Sequence, residues 1–314
     1  MRFYSFLLCL LVGESSGYLQ ASCDDQKTYR HKCQRDCQYS EPDRWTISTS
    51  ESFGHLRDKF PTVQQKGDLF TSLNTVEYAL TPDMRIGAMY EHDESWLKSP
   101  LSSSKSHTKT DIGSPLIAYD FLPWLSGQLS YGYGTARTQS SSSQSQSVSR
   151  ANLRNLETSL TALKEFPLFT TSLEAGYLYS RTHQKKFVDS QGAVTPSSSD
   201  KSGNGNLQLQ VSRSFNTKET TITPYALAGL DYDVRRAQNQ SYTTQRNHAH
   251  SRQGSNHAHV HSTAKPRSRV GTTLGGGIEW NFEKVLFSVE SQYYTGHSGL
   301  KVTTLNVGIT IPFK

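Results

Sequence analysis

From about residue 43 onward, apolar and polar side chains alternate with period two in runs of roughly 10 to 14 residues. That is the signature of strands whose two faces meet different surroundings. The last run is the clearest. Leu305, Val307, Ile309, Ile311 and Phe313 share one face, and Asn306, Gly308, Thr310 and Pro312 the other. Upstream, Val285 to Thr295 sets Phe287, Val289 and Tyr293 against Ser288, Glu290, Gln292 and Tyr294. Val270 to Phe282 sets Leu274, Ile278 and Trp280 against Thr273, Gly275, Gly277, Glu279 and Asn281. Ile222 to Val234 sets Ala226, Ala228, Leu230 and Tyr232 against Tyr225, Gly229, Asp231 and Asp233. Leu168 to Arg181 sets Phe169, Leu173, Ala175, Tyr177 and Tyr179 against Ser172, Glu174 and Gly176. Fainter alternation marks strands at 45–54, 68–80, 84–94, 111–122, 124–137, 148–163 and 204–215. The pattern changes phase midway in 68–80 and 148–163, which predicts a bulge in each or a misplaced boundary.

The count is about twelve strands, and the connections between them come in two kinds. Short ones fall at Thr81-Pro82-Asp83, Pro123, 164–167, 216–221 and Glu283-Lys284. Long ones rich in Ser, Gln, Asn, Gly and His fall at about 55–67, 95–110, 138–147, 182–203 and 236–268. They alternate until a final tight turn at Gly296 to Gly299. This arrangement predicts an all-β fold: a transmembrane up-and-down antiparallel β-barrel with tight periplasmic turns, longer external loops and both termini in the periplasm. A soluble β-sandwich is the competing expectation. Strand length, Gly, Ser, Gln and Glu on the inward faces, and an aromatic closing the last strand all favour the barrel.

Composition agrees. Hydrophobic residues make up only 34% of the 314-residue chain, while aromatics reach 11%, with 16 tyrosines. A disordered chain would be poor in aromatics, whereas a membrane barrel shows lipid one face per strand and crowds aromatics at the interfaces. The net charge of +6 is scattered through loops and never interleaves with aromatics as a nucleic-acid strip would. No nucleic-acid partner is expected. The excess fits a basic rim facing anionic lipid headgroups.

Met1-Arg2, the apolar run Phe3 to Val12 and the small residues up to Ser22 read as a signal peptide over 1–22, and hence as export to a bacterial outer membrane. Cleavage after Gly17 or after Ser22 fits equally, and lipidation of Cys23 is a further alternative. Residues 23–42 read as a short periplasmic segment and 43–314 as the barrel. Cys33 and Cys37, in an exported chain, point to a disulfide, with metal binding the alternative.

The stretches Thr223 to Tyr232, Gly275 to Trp280, Val285 to Gly296 and Leu305 to Phe313 resemble the autotransporter β-domain, the twelve-stranded translocator of type V secretion. The resemblance implies insertion by the outer-membrane barrel assembly machinery, which reads a terminal strand ending in an aromatic. Phe313, with Ile311 and Ile309 on the same face, would be that signal, although Lys314 follows it. Only about 20 residues separate the signal from the first strand, so no passenger is expected and the family's secretion role does not carry over whole.

Chemistry-bearing residues are few. His248, His250, His257, His259 and His261 form two His-x-His units in one loop, which reads as polar low complexity or as an adventitious zinc, nickel or copper site. His297-Ser298 lacks a positioned third member for a triad. Asp231 and Asp233, with His92 or Asp93, could activate a water in a hydrolase of lipase or protease type. Such acids otherwise read as lumen residues beside Arg85 or Arg269. Gly275-Gly276-Gly277 is no phosphate loop, because the strand runs on through it; it predicts wall bending or close approach of a luminal side chain. The expected function is non-enzymatic, without a cofactor: a pore, or a scaffold whose loops bind an external ligand. A rim hydrolase and a surface adhesin are the alternatives.

Overall fold

The computed structural model describes residues 44–59, 64–143, 145–217, 220–235, 269–296 and 299–313. They form fifteen strands and no helix: β1 (Trp45–Asp58), β2 (Gln65–Thr81), β3 (Met84–Ser99), β4 (Ser104–Leu122), β5 (Leu125–Ser141), β6 (Gln146–Glu165), β7 (Thr170–Gln184), β8 (Phe187–Val188), β9 (Val194–Thr195), β10 (Ser198–Ser212), β11 (Phe215–Asn216), β12 (Thr220–Arg235), β13 (Val270–Phe282), β14 (Val285–Gly296) and β15 (Leu300–Phe313). Twelve of them make the wall, each antiparallel to its neighbour, in the order β1 to β7, β10, β12, β13, β14, β15. The first and last strands close it. β1 pairs with β15 along its whole length, from Asp58↔Leu300 to Trp45↔Phe313. At the lower end of that seam Trp45 and Phe313 stack at 6.3 Å and 13°. β8 and β9 form a separate small hairpin between β7 and β10.

Alternation places the two faces as the sequence reading expects. Leu274, Leu230, Ile278 and Val289 are among the most exposed large apolar residues, at 62%, 53%, 52% and 49%. Glu279, Asp231 and Glu290 beside them are buried. An apolar surface covering a whole molecule is tolerable only against lipid. Aromatic girdles bound it. Trp45, Trp124, Phe121, Phe169, Trp280 and Phe313 lie toward the tight-turn end, and Tyr90, Tyr131, Tyr133, Tyr232 and Tyr293 toward the other.

Several strands outrun this band. β4, β5 and β6 contain 19, 17 and 20 residues, where about 9–11 suffice to cross the hydrocarbon. The long connections expected at 55–67, 95–110, 138–147 and 182–203 are therefore mostly strand. Only 100–103 separates β3 from β4, and 142–145 separates β5 from β6. Ser, Thr, His and Gln on both faces read as loop in the sequence, but beyond the lipid they pair as well as any residue. The connection at 236–268 lies outside the described residues.

The bulges expected within 68–80 and 148–163 are absent. β2 keeps continuous register with β1, and its register with β3 shifts only at Ala79/Thr81, beside the turn. β6 is in continuous register with both neighbours. What changes is the environment. Leu69, Leu73 and Leu153 point inward above the girdle, whereas Val76, Leu80, Leu156 and Leu160 point outward below it. Beyond the lipid the barrel behaves as a soluble one, apolar inside. Leu56, Leu69, Leu97, Tyr294, Leu300 and Val302 form that inner cluster, each no more than 3% exposed.

A charge placed on the outward face should therefore report where lipid ends. Val289→Arg, between Phe287 and Tyr293, should lose about 2–4 kcal/mol of folding free energy in vesicles. Gln139→Arg, on the outward face of the β5 overhang, should lose about 0–1 kcal/mol. Urea titrations of the folded fraction in lipid vesicles measure both, and equal losses would mean that the band is misplaced.

Candidate functional site: the acidic lumen face

Among the described residues the inward face carries eight buried carboxylic side chains, Asp58, Glu77, Glu91, Asp93, Asp231, Asp233, Glu279 and Glu290, and no Lys or Arg is buried. Arg85, 17% exposed, lies between Glu77 and Asp120, with Nε 3.5 Å from Glu77 Oε2 and Nη1 3.3 Å from Asp120 Oδ2. Thr71 Oγ1 donates to Asp93 Oδ1 at 2.7 Å across β2 and β3.

The densest part is built over β13. Tyr225 on β12 donates to Glu290 Oε2 on β14 at 2.8 Å, reaching across the strand between them. Gln292 Nε2 and Asn306 Nδ2 donate to Glu290 Oε1 at 2.6 and 2.9 Å. The strand crossed presents Gly277, which pairs with both Tyr225 and Glu290. A Cβ there would lie 2.6 Å from the Tyr225 hydroxyl and 2.5 Å from the Val289 carbonyl. One turn of the pattern higher, the arrangement recurs in reverse. Tyr294 on β14 donates to Asp231 Oδ2 on β12 at 3.2 Å. It passes over Gly271, whose missing Cβ would collide with both groups. Asn204 Nδ2 on β10 donates to Asp233 Oδ1 at 3.4 Å. The close approach expected of the glycine run holds at Gly277, and Gly271 performs the same service. By contrast, Glu279 Oε1, 4% exposed overall, meets no hydrogen-bond donor among the described residues.

His92 does not join Asp231 and Asp233. Adjacent residues of a strand face opposite ways, so Asp93 lies inside while His92 lies on the outer wall. There His92 Nδ1 is 2.8 Å from Asp111 and its Nε2 is 3.3 Å from Glu94. Lys109 Nζ donates to Glu94 at 2.7 Å, and His107 Nε2 is 3.0 Å away. This group stands beyond Tyr90, outside the lipid band. Asp111 and then Glu94 raise the His92 pKa, while Lys109 first, helped by the two imidazoles, holds Glu94 well below the usual carboxylate range. Among the described residues no cluster has metal-holding geometry. His248, His250, His257, His259, His261, Cys33, Cys37 and His297-Ser298 lie outside the described residues, as does the signal segment. Ile309, Ile311 and Phe313 share the outward face of β15, against Thr49, Ile47 and Trp45 of β1.

Sequence reasoning placed Tyr225, Glu279 and Glu290 on the inward face without connecting them. The spacing that could have done so is a glycine on the strand between a tyrosine and an acid. Tyr225→Phe should destabilise the folded barrel by about 1.5–3 kcal/mol if Glu290 is ionised, and about 0.5–1.5 kcal/mol if it is neutral. In Tyr225→Phe/Glu290→Gln the two losses should sum to more than the loss of the pair, because they delete one bond. Additive losses in urea titrations would contradict the bridging bond.

The Autotransporter beta-domain family model matches residues 47–291. The translocator domain of the autotransporter NalP from Neisseria meningitidis is similar in structure, with a TM-score of 0.67 at 14% identity, over 86% of this chain and 88% of that one. The beta domain of the Bordetella autotransporter BrkA gives 0.63 at 11%, over 86% and 100%. The transport unit of AIDA-I from Escherichia coli gives 0.54 at 11%, over 88% and 93%. No curated protein sequence matches. A family model spanning most of the chain, and a closed twelve-stranded wall of the same architecture, lead to one conclusion: this chain belongs to the autotransporter β-domain family of outer-membrane barrels.

Proposed function

We propose that the barrel is a non-enzymatic conduit across the outer membrane whose lumen favours cations. The observation that carries this reading is the acid-rich inward face, with Glu279 buried beside Glu290 and without a donor at Oε1. A carboxyl taken out of water must be matched by a proton, a hydrogen bond or a cation. Acids ranged along a low-dielectric wall raise the local cation concentration and repel anions. The tight-turn end faces the periplasm and the overhanging end the exterior, as in barrels of this kind. A second reading, a surface scaffold that holds loops for an external ligand, draws support from the overhang of β4, β5 and β6, which carries the connections clear of the lipid.

Single-channel recording under a salt gradient tests the conduit. The native barrel should show steps whose reversal potential has the sign of cation preference, and Glu279→Gln should move that potential toward zero. Absence of conductance, or anion preference, would leave the scaffold reading. Delivery to the membrane is proposed to use the barrel assembly machinery, with Phe313, Ile311 and Ile309 as its signal. Phe313→Ser should sharply lower the heat-modifiable, membrane-inserted fraction in cells, and deletion of Lys314 should leave it unchanged. Normal insertion of the Phe313 variant would remove the strand from that role.

A further inference from the structure

Outside the lumen, the wall carries rows of directly opposed cations. On β6, β7 and β10 the outward residues Arg154, Arg181 and Lys201 stand directly opposite one another across neighbouring strands, as Arg154↔Arg181 and Arg181↔Lys201. Four residues further from the turn end, Arg137 on β5 and Arg150 on β6 are likewise paired. Directly opposed residues have Cβ atoms about 4.5–5.5 Å apart, and like charges at that spacing repel. All five side chains are exposed, and among the described residues none of them has an acidic partner. The outward acids nearby are engaged elsewhere: Glu94 with Lys109 and His107, Asp111 with Tyr90 and His92. A folded protein does not gain from such a row by itself.

The height of the row identifies what would. One step toward the turn end, the outward residues of the same strands are Tyr131, Leu156 and Tyr179, again directly opposed. The cations thus begin at the level of the upper aromatic girdle, where Arg154 stands opposite Tyr133. A second row, Lys301, Arg57, Lys66, Lys98 and Lys105, is directly opposed across β15, β1, β2, β3 and β4, but it holds a single guanidinium. Between the two rows β12, β13 and β14 present Tyr232, Val270, Thr272 and Thr295 instead.

We infer that the outer wall of β5, β6, β7 and β10 is a binding site for a phosphate-bearing lipid of the outer leaflet. Its acyl chains would lie against Tyr131, Leu156 and Tyr179, and its phosphates among Arg154, Arg181, Lys201, Arg137 and Arg150. Guanidinium groups suit this partner because they bind phosphate in a bidentate manner. A phosphate-bearing lipid satisfies both halves of the surface, whereas a soluble polyanion would satisfy only the cations.

The test uses the refolded chain in a zwitterionic detergent, with its unfolding temperature read from the heat-modifiable band. The probes are bis-phosphorylated lipid A, the same lipid after dephosphorylation, and inorganic polyphosphate. Lipid A should raise the unfolding temperature of the native chain by several degrees, and the other two should not. Arg154→Gln/Arg181→Gln/Lys201→Gln should lose that rise, while Arg57→Gln/Lys301→Gln, in the lysine-rich row, should keep it. Without lipid, the triple variant should be at least as stable as the native chain, because repulsion has been removed. Should it fail to fold, Arg154→Lys/Arg181→Lys, which keeps the charge and loses bidentate binding, should retain only part of the rise. An equal rise in native and variant chains would overturn the site. A rise with polyphosphate as large as with lipid A would assign the row to a soluble polyanion instead.

Discussion

Inside a bilayer no water is available to a backbone N–H or C=O, so a spanning sheet cannot have an edge. Everything else in this fold follows from that constraint. The seam of β1 and β15 is the place where it is met, with fourteen residues of the first strand each opposite one of the last. Because the wall is closed, the two sides of each strand never exchange surroundings by slipping; a shift by one residue would turn a lipid face into a lumen face. The register irregularities fall where this penalty is weakest. Two lie beside tight turns, at Ala79/Thr81 and Asp120/Leu122, and one lies high on the wall at Gly203/Asn204.

Closure also accounts for the double character of the long strands. Within the lipid band the outer face must be apolar and the inner face is free to be polar. Above the girdle water lies outside, and the preference inverts. Leu69 inward and Leu80 outward on β2 are thus the same rule applied to two media along one straight strand. The inner cluster around Leu56, Val302 and Tyr294 holds the projecting part of the wall together without lipid. A strand can then run far past the membrane without becoming an exposed edge, since its neighbours run past it too.

Sequence periodicity captured the closed architecture, the strand number and the phase of the strongly alternating strands, because Leu274 against Glu279 or Val289 against Glu290 needs no tertiary information. It lost the overhangs, where Ser104 to Thr110 or Thr135 to Ser141 offer no apolar face and are held only by cross-strand bonds. It read the face inversions of β2 and β6 as bulges or misplaced boundaries, because one-dimensional periodicity cannot tell a shifted backbone from a changed solvent. Of the lumen, the acids were legible as inward residues. Their connections were not, since Tyr225, Gly277 and Glu290 meet through pairings set by the whole barrel. The separation of His92 from Asp93 was already implied by strand alternation, which excludes neighbours from one site.

The distribution of charge completes the physical picture. Among the described residues the buried acids lie inside the wall, and no Lys or Arg is buried with them. The two sets do not neutralise each other, because a sheet one strand thick with apolar filling separates them. Each must be matched by something on its own side. For the inner set, hydrogen bonds from Tyr225, Gln292, Asn306, Thr71 and Tyr294 do part of this, and Arg85 does more at Glu77 and Asp120. Among the described residues the outer row from Arg154 to Lys201 has no such internal support. The same wall that forbids edges thus divides the molecule's electrostatics into an acidic lumen face and a cationic outer collar.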